Sequence, residues 1–386
     1  LAVLRAAPAP VFRVAAPRAA AALVSRGEIT TARSLLGRLP QRDGHVSFLA
    51  VAAAVAAGDR EAAETRAAAL LAAPTAGAWR DLVIDILPEP QSVALGTVTP
   101  TRGAAALART AVHAGRSAAR RDLEAALLSD PAWRRLLTGG KAEPATWTGP
   151  AADLVSVGLD GVAATLYPHR FPAASPTDLA WSARVLAEWG NGPAALSHGE
   201  RLWEAVGPVP AELLPFSLLP HILPRPLVAD IIVAARREGA DSAWLTAIVR
   251  RESRFARAAR SSAGAIGVAQ IVPETARRLG ADPAELWDRD RAVGLAAREV
   301  VRLSRELDGR LPLVAAAYNA GDPVVETWIE ILDEPADALF AAAIPYRETA
   351  AYVLAVREGV ALARHLSSRC DGASSAGVPS PPAPQK

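Results

Sequence analysis

Helix-forming residues dominate almost every segment of this chain, and they constrain its fold more than any other feature of the sequence. Alanine, leucine, arginine and glutamate recur throughout the 386 residues, and they are among the best helix formers. The apolar/polar alternation that is typical of strands is scarce. Hydrophobic residues make up 51% of the chain, enough to bury a large core. The sequence therefore predicts an all-α protein of two or three domains.

A glycine before an acidic residue recurs in the first half of the chain. Gly27 and Gly58 lie 31 residues apart, and each follows an Ala/Val-rich stretch. Glycine in that position commonly ends a helix. Looser echoes occur at residues 157–161 and 189–192. Helices joined by short turns at this period predict a helical-hairpin superhelix, or solenoid.

A cluster of prolines marks a boundary near the middle of the chain, because proline cannot continue the interior of a helix. The cluster comprises Pro208, Pro210, Pro215, Pro220, Pro224 and Pro226. We expect the superhelical domain to span residues 1–225 and a second helical domain to span residues 226–370. Residues 371–386 are small, polar and proline-rich, which predicts a disordered tail.

Composition and motif content argue against several classes of function. No apolar run reaches the roughly 18 residues of a membrane-spanning helix, so no transmembrane segment is predicted. The net charge is +2 and no long block of like charges occurs, which gives no reason to expect a nucleic-acid partner. The six histidines are scattered, and no zinc motif, phosphate-binding loop or dinucleotide fingerprint is present. We therefore expect neither a metal nor a cofactor.

Glu252 interrupts the apolar face of a helix predicted near residues 241–255. Trp244, Ile248, Glu252 and Phe255 follow one another at steps of four, four and three, so they share one face. A carboxylate there must be paired, neutral or functional. Desolvation raises a carboxyl pKa, which suits the group to general-acid catalysis near neutrality. On this face alone, a structural ion pair and a catalytic acid explain the residue equally well.

A loop of small residues follows that helix, over residues 261–270. Gly264 and Gly267 allow backbone conformations that other residues avoid, and they let a substrate approach the main chain closely. The loop ends at Gln270, whose amide both donates and accepts hydrogen bonds, as sugar recognition requires. Glu274 comes next and is best explained as an acidic residue in the first turn of a new helix.

A third segment, residues 315–321, ends another predicted helix. Pro312 predicts the start of this helix and Gly321 its end. Tyr318 and Asn319 then lie at the helix C-terminus, beside a turn. A tyrosine there is compatible with an ordinary core position, whereas Asn319, in a chain with two asparagines, is harder to explain in that way.

Together these segments resemble the signature motifs of the soluble lytic transglycosylases. The matching motifs, in the order and spacing of that family, are Glu252-Ser253, Gly267-Val268-Ala269-Gln270 and Ala317-Tyr318-Asn319-Ala320-Gly321. Residues 344–352, IPYRETAAY, resemble the closing pattern of the family. Four motifs in order are far more specific than any one of them. The clear match covers about residues 228–364, and the first half of the chain is similar only in kind.

The resemblance implies a lysozyme-like catalytic domain after an α-helical superhelix, and a role for each matching residue. Glu252 would be the catalytic acid. The residues that bind substrate or support the site would be Ser253, Ser261, Gln270, Tyr318, Asn319 and Tyr352. The implied partner is the glycan strand of peptidoglycan, cleaved at the β-1,4 bond between N-acetylmuramic acid and N-acetylglucosamine to leave 1,6-anhydromuramyl ends. A periplasmic, cell-envelope or secreted location would follow from that substrate.

Three positions depart from the family pattern: Ala269 and Val272 stand where methionine is usual, and Ala342 stands where an acidic residue is frequent. These changes affect the sugar subsites more than the acid.

Two alternatives stay open from the sequence. A hydrolytic muramidase would need a positioned water and usually a helper carboxylate, for which Asp282, Glu285 and Asp288 are candidates. A non-catalytic helical scaffold that binds glycan or protein would need no acid at all.

Overall fold

Helices supply all the regular structure in the part of the protein that the computed structural model describes, namely residues 4, 6–73, 79–87, 116–138, 149–166, 175–207, 209–333 and 335–374. In these residues the strand-like contacts are isolated bridges that join Ile266 to Arg260 and to Ile271. The prediction of an all-α fold is therefore confirmed.

The helices are numbered here in chain order. The first eleven are α1 Ala9–Ser25, α2 Ile29–Leu36, α3 Gly44–Ala56, α4 Arg60–Ala72, α5 Trp79–Ile86, α6 Arg116–Leu128, α7 Pro131–Leu137, α8 Pro150–Ser156, α9 Asp160–Leu166, α10 Pro176–Glu188 and α11 Gly192–Val206. A 3₁₀ turn, Ala211–Leu213, leads to α12 Leu219–Ile222, α13 Arg225–Glu238, α14 Ser242–Ser253 and α15 Pro273–Arg278. A second 3₁₀ turn, Pro283–Trp287, precedes α16 Arg289–Glu306, α17 Leu311–Ala320, α18 Asp322–Leu332, α19 Asp337–Ala343 and α20 Arg347–Ser374.

The predicted helical hairpins are present in the first part of the chain. Four glycines separate the paired helices α1/α2, α3/α4, α8/α9 and α10/α11, and Gly27, Gly58, Gly158 and Gly190 have φ angles of 74°, 69°, 77° and 75°. At each turn the glycine N–H and the next N–H donate to carbonyls three and five residues earlier, over 2.8–3.1 Å. This is the Schellman arrangement, which ends a helix with glycine in the left-handed conformation.

The proline-rich segment leads directly into α13, and Pro224 immediately precedes that helix. The boundary predicted at residue 225 thus coincides with a helix start, but the division into separate domains stays a prediction. A single cluster of buried apolar residues runs through both parts. The predicted tail overlaps the end of α20, which extends to Ser374; Pro208 and residues 375–386 lie outside the described residues.

The long helix α20 connects the two parts of the protein. It packs along α14 and α17 of the second part, and against α5, α12 and the 3₁₀ turn Ala211–Leu213 of the first. Helix α14 also packs on α13 and α16. The elements that carry the sequence motifs are therefore held together in one core. Among the described residues, no helix combines the length and apolarity that crossing a membrane requires.

We expect Gly58→Ala to destabilise the protein by about 1–2 kcal/mol, because an alanine in the left-handed region meets its own carbonyl oxygen. A Cβ at this position would meet nothing within 4 Å, so the cost would come from the backbone alone. Urea unfolding followed by circular dichroism would measure the change in the free energy of unfolding. Gly37→Ala is the matched control, since Gly37 has a φ of −61° and room for a Cβ. Equal effects at the two positions would contradict the turn assignment.

Candidate active site

Glu252 and Tyr352 form a hydrogen-bonded pair at the centre of the motif-bearing helices. Helix α14 presents Trp244, Ile248 and, just past its end, Phe255 to the core, and all three are buried. Glu252 is half-buried on the same helix, as its spacing predicts. The Tyr352 hydroxyl, on α20, donates to Glu252 Oε1 over 2.6 Å. Since Oε1 accepts this bond, Oε2 is the oxygen that can carry the proton of the neutral acid.

Burial is the main cause of an altered acidity at Glu252. It raises the pKa of the Glu252 carboxyl to about 7, while the hydrogen bond from Tyr352 and the charge of Arg251 lower it and the charge of Glu348 raises it. Burial, followed by the charge of Glu252, also raises the pKa of Tyr352 well above its usual value, so the phenol stays a donor. The carboxyl can therefore both give and take a proton near neutral pH.

Two side chains attach the small-residue loop to the helices beside Glu252. The Ser253 hydroxyl donates to the Val268 carbonyl over 2.6 Å, and the Tyr318 hydroxyl donates to the Ala269 carbonyl over 2.9 Å. Ser253 ends α14 and Tyr318 lies near the end of α17. The loop is thus fixed from both helices by bonds to successive carbonyls.

The loop is shaped by tight backbone contacts. Gly267 has a φ of 77°, and a Cβ there would come within 2.0 Å of the Leu286 carbonyl oxygen, so no larger residue fits. Gln270 has a φ of 50° and its side-chain NH₂ donates to the Gly267 carbonyl over 2.9 Å. The Ser261 hydroxyl accepts a hydrogen bond from the Ala265 N–H over 3.0 Å. In the structure Ser261 thus bonds within its own loop, and no described contact joins it to Glu252.

Asn319 connects α17 to α20. Its Oδ1 accepts a hydrogen bond from the buried Thr349 hydroxyl over 2.8 Å. Thr349 lies three residues before Tyr352, so this bond orients the same helix turn that contacts Glu252. The Asn319 amide NH₂ remains as the group that can donate to a ligand.

The comparison with known families agrees with this arrangement of motifs. Residues 230–340 match the family model of the transglycosylase SLT domain. These residues form an SLT domain. The resemblance to soluble lytic transglycosylases that the sequence predicts is confirmed in this segment, which contains Glu252, Gln270 and Tyr318.

Two curated relatives that match part of the chain are named as soluble lytic murein transglycosylases. The soluble lytic murein transglycosylase of Escherichia coli K12 is 29% identical over 119 residues, which cover 28% of this chain and 18% of that protein. A Haemophilus influenzae protein assigned to the same enzymes is 33% identical over 120 residues, 28% of this chain and 19% of that protein. The chain therefore matches less than a fifth of the length of these relatives.

Two solved structures share the fold beyond the SLT domain. The 70 kDa soluble lytic transglycosylase Slt70 from Escherichia coli superposes with a TM-score of 0.62 at 17% identity, over 95% of this chain and 53% of that one. A 70-kDa soluble lytic transglycosylase in complex with bulgecin A gives a TM-score of 0.59 at 17% identity, over 92% and 51%. At this identity the likeness shows a common all-α fold, including the helical part that precedes the SLT domain.

The sequence motifs assigned no role to two charged residues near the acid of the SLT domain, Arg251 and Glu348. Helical spacing alone suggests that Arg251 points away from Glu252, yet its guanidinium carbon lies 5.7 Å from the centre of the Tyr352 ring. Glu348 lies one helical turn before Tyr352 on α20. Its i, i+4 relation to Tyr352 is the signal that could have identified it.

The carboxylates considered as helpers for a muramidase serve as helix caps instead. Asp282 and Glu285 form a capping box at the start of the 3₁₀ turn Pro283–Trp287, and Asp288 caps α16 by accepting from the Arg291 N–H. Glu274 lies in the first turn of α15, as predicted. Within the described residues, no group of three or more His, Cys, Asp or Glu side chains is arranged to hold a metal.

The three departures from the family pattern have different surroundings in the SLT domain and the segment after it. Ala269 is buried and offers its carbonyl to Tyr318, whereas Val272 is 37% exposed beside the loop. Ala342 is only 2% exposed, and its carbonyl accepts a hydrogen bond from His45 Nε2 over 2.8 Å. A carboxylate at position 342 would be desolvated here, which explains why an apolar residue suits this chain.

We expect Arg251→Gln to raise the pKa of Glu252 further above its ordinary value, because a neighbouring cation stabilises the carboxylate. ¹³C NMR of glutamate carboxyls would measure the titration, with the Glu252→Gln variant identifying the resonance. Arg257→Gln is the matched control, since Arg257 is exposed on the same segment without a described contact to the pair. A Glu252 titration unchanged by Arg251→Gln would contradict the placement of this guanidinium.

Proposed function

We propose that this protein is a lytic transglycosylase that cleaves the glycan strands of peptidoglycan, with Glu252 as its single acid and base. One observation carries the proposal: the Glu252 carboxyl of an SLT domain is half-buried, has a pKa raised to about 7, and is oriented by Tyr352. A structural ion pair does not explain this residue, because the hydrogen bond to its carboxylate comes from a tyrosine.

In the first step the neutral acid protonates the glycosidic oxygen. As the bond from C1 of N-acetylmuramic acid to that oxygen breaks, the acetamido oxygen of the same sugar stabilises the positive charge at C1. Glycosidases of the common type use a second carboxylate for this purpose, but substrate-assisted enzymes do not need one. The two oxygens of Glu252 thus have different roles. Oε2 would donate its proton to the substrate, and Oε1 accepts the hydrogen bond from Tyr352 that orients the carboxyl.

In the second step the Glu252 carboxylate removes the proton of the C6 hydroxyl, whose oxygen closes on C1 and displaces the acetamido oxygen. The product has a 1,6-anhydro ring, the acid regains its proton, and no water is consumed. A pKa near the working pH favours both halves of this cycle, because the group must give a proton and then take one.

The remaining site residues would divide into two groups. Gln270 and Asn319 would contact the sugars through their amides, which suit hydroxyl and acetamido groups. Ser253 and Tyr318 would hold the loop in place through the bonds described above, and Ser261 would shape the loop wall. The peptidoglycan substrate implies a periplasmic, cell-envelope or secreted location, with residues 1–225 as a superhelical domain, residues 226–370 as the catalytic domain and residues 371–386 as a tail.

Hydrolysis by the same site is the second candidate, and the position of a second carboxylate, Glu348, favours it. Its charge reaches Glu252, so it is placed better than the capping carboxylates to activate a water. Its exposure on α20 and the raised pKa that it helps to give Glu252 are equally compatible with the transglycosylase. A non-catalytic scaffold is disfavoured, because it has no need of a desolvated acid.

We expect Glu252→Gln to abolish cleavage of purified murein sacculi while the far-ultraviolet circular dichroism stays unchanged, since glutamine cannot transfer the proton. Mass spectrometry of the parent digest should show anhydro ends, lighter by one water than hydrolysis products. Glu274→Gln, which changes an exposed helix-start carboxylate, should retain parental activity. Full activity of Glu252→Gln would exclude the assignment, and products that contain the added water would select the muramidase.

The rate of cleavage should fall as the pH rises through about 7, because the acid step needs the protonated form of Glu252, whose pKa is raised to about 7. The group is mostly ionised above that value. A pH profile of kcat/KM on soluble muropeptide oligomers would test this, and a rate that rises steadily from pH 6 to pH 9 would argue against Glu252 as the acid.

A further inference from the structure

The helical region before residue 226 contacts the turn that follows Glu252 through an ion pair. Glu200 of α11 binds Arg254 with both carboxylate oxygens, over 2.8 and 3.1 Å, and also accepts from Arg250 over 3.1 Å. Arg254 immediately follows the last residue of α14, two positions after Glu252. A bidentate carboxylate–guanidinium pair fixes geometry as well as charge, so α11 holds the end of the helix that carries the acid.

That turn has an unfavourable backbone conformation. Arg254 and Phe255 have φ angles of 54° and 63°, in the left-handed region that residues with a Cβ rarely occupy. Such conformations persist only where the surroundings impose them, and they concentrate at functional sites. Gly192, the first residue of α11, fits directly against the turn: a Cβ there would lie 2.7 Å from the Arg254 carbonyl oxygen and 2.8 Å from Phe255 Cβ.

The same region also contacts the backbone that leads to Tyr352. Arg18 Nε of α1 donates to the Ile344 carbonyl over 2.8 Å, and His45 Nε2 of α3 donates to the Ala342 carbonyl over 2.8 Å. These carbonyls lie just before α20, the helix that carries Tyr352. Both partners of the Glu252–Tyr352 hydrogen bond are thus approached by helices from the first part of the chain.

We propose that Glu200 and Gly192 are positioning residues for Glu252. The helical region before residue 226 would then contribute to catalysis by fixing the orientation of the acid. Glu200 holds Arg254 in its left-handed conformation, and Gly192 leaves the space that this turn needs. Together they set the direction in which the end of α14 presents the Glu252 carboxyl to Tyr352 and to the substrate. This inference rests on the proposed function for its kinetic readout, but not for its spectroscopic one.

The Glu200→Gln variant should remain folded, because Glu200 and Arg254 are 30% and 40% exposed and pairs of this kind contribute little stability. Arg250 keeps its second partner, Glu358, at 3.6 Å. We expect kcat on murein oligomers to fall roughly 10- to 100-fold with KM little changed, the effect of misplacing a catalytic group by about 1 Å. Glu188→Gln, which breaks the exposed Arg184–Glu188 pair on α10, is the matched control.

Rescue separates positioning from a general loss of structure. Adding Arg254→Gly to Glu200→Gln should restore most of the lost kcat, because glycine adopts the left-handed conformation without a grip from Glu200. A merely structural salt bridge predicts the opposite result, since the double variant lacks both of its partners.

Gly192→Ala tests the same turn without changing any charge. It should lower kcat as Glu200→Gln does and shift the pKa of Glu252, because displacing the carboxyl changes both the burial that raises this pKa and the hydrogen bond from Tyr352 that lowers it. The other groups that face Glu252, namely Arg251 on α14, Glu348 on α20 and Tyr318 on α17, are unchanged in this variant. Gly37→Ala, with an ordinary φ and room for its Cβ, is the control.

The two readouts distinguish this inference from the proposed function. If the parent chain does not cleave murein, the proposed function fails, and the ¹³C titration of Glu252 in Gly192→Ala still decides the positioning. If the parent is active, the inference is overturned when Glu200→Gln matches Glu188→Gln in kcat, or when Gly192→Ala leaves the Glu252 titration unchanged.

Discussion

The partly buried hydrogen bond between Tyr352 and Glu252 is the interaction around which the second part of the protein is arranged. An apolar environment destabilises the ionised carboxylate, and the hydrogen bond from the tyrosine offsets only part of that cost. An ion pair with an arginine would instead stabilise the carboxylate strongly and lower its pKa. The acid therefore keeps a pKa near 7. Holding such a group requires that two helices, α14 and α20, meet in one fixed register, and they pack along each other closely.

The surroundings of the pair are fixed mainly through backbone carbonyls. Ser253 and Tyr318 bind the carbonyls of Val268 and Ala269, which places a loop of small residues next to the acid. Binding a loop through its main chain leaves its side chains open to change, since a carbonyl is available whatever residue stands there. This accounts for the presence of alanine at position 269, where the family usually has methionine, without loss of the bond from Tyr318.

The structural similarity to known transglycosylases extends over much more of the chain than the match to the family model does. The match to the SLT domain is limited to residues 230–340, whereas the structural likeness to Slt70 extends over 95% of the chain at 17% identity. Helical packing explains the contrast, because a core tolerates many apolar exchanges as long as volume and pattern are kept. Motifs that perform chemistry tolerate far fewer, and they are the part that remains recognisable in the sequence.

The sequence by itself determined the helical fold class, the glycine turns of the hairpins and the acid on the apolar face of α14, because propensity, chain reversal and helical periodicity are local properties. Only the tertiary structure decided which groups reach that acid. Tyr352 is 100 residues from Glu252 along the chain, and the approach of Arg251 and Glu348 depends on side-chain direction and on packing between helices. The contact of Glu200 with the turn after Glu252 likewise depends on packing between helices. Contacts between residues so far apart in the chain depend on how the helices pack in the whole core, and no local sequence pattern specifies that packing.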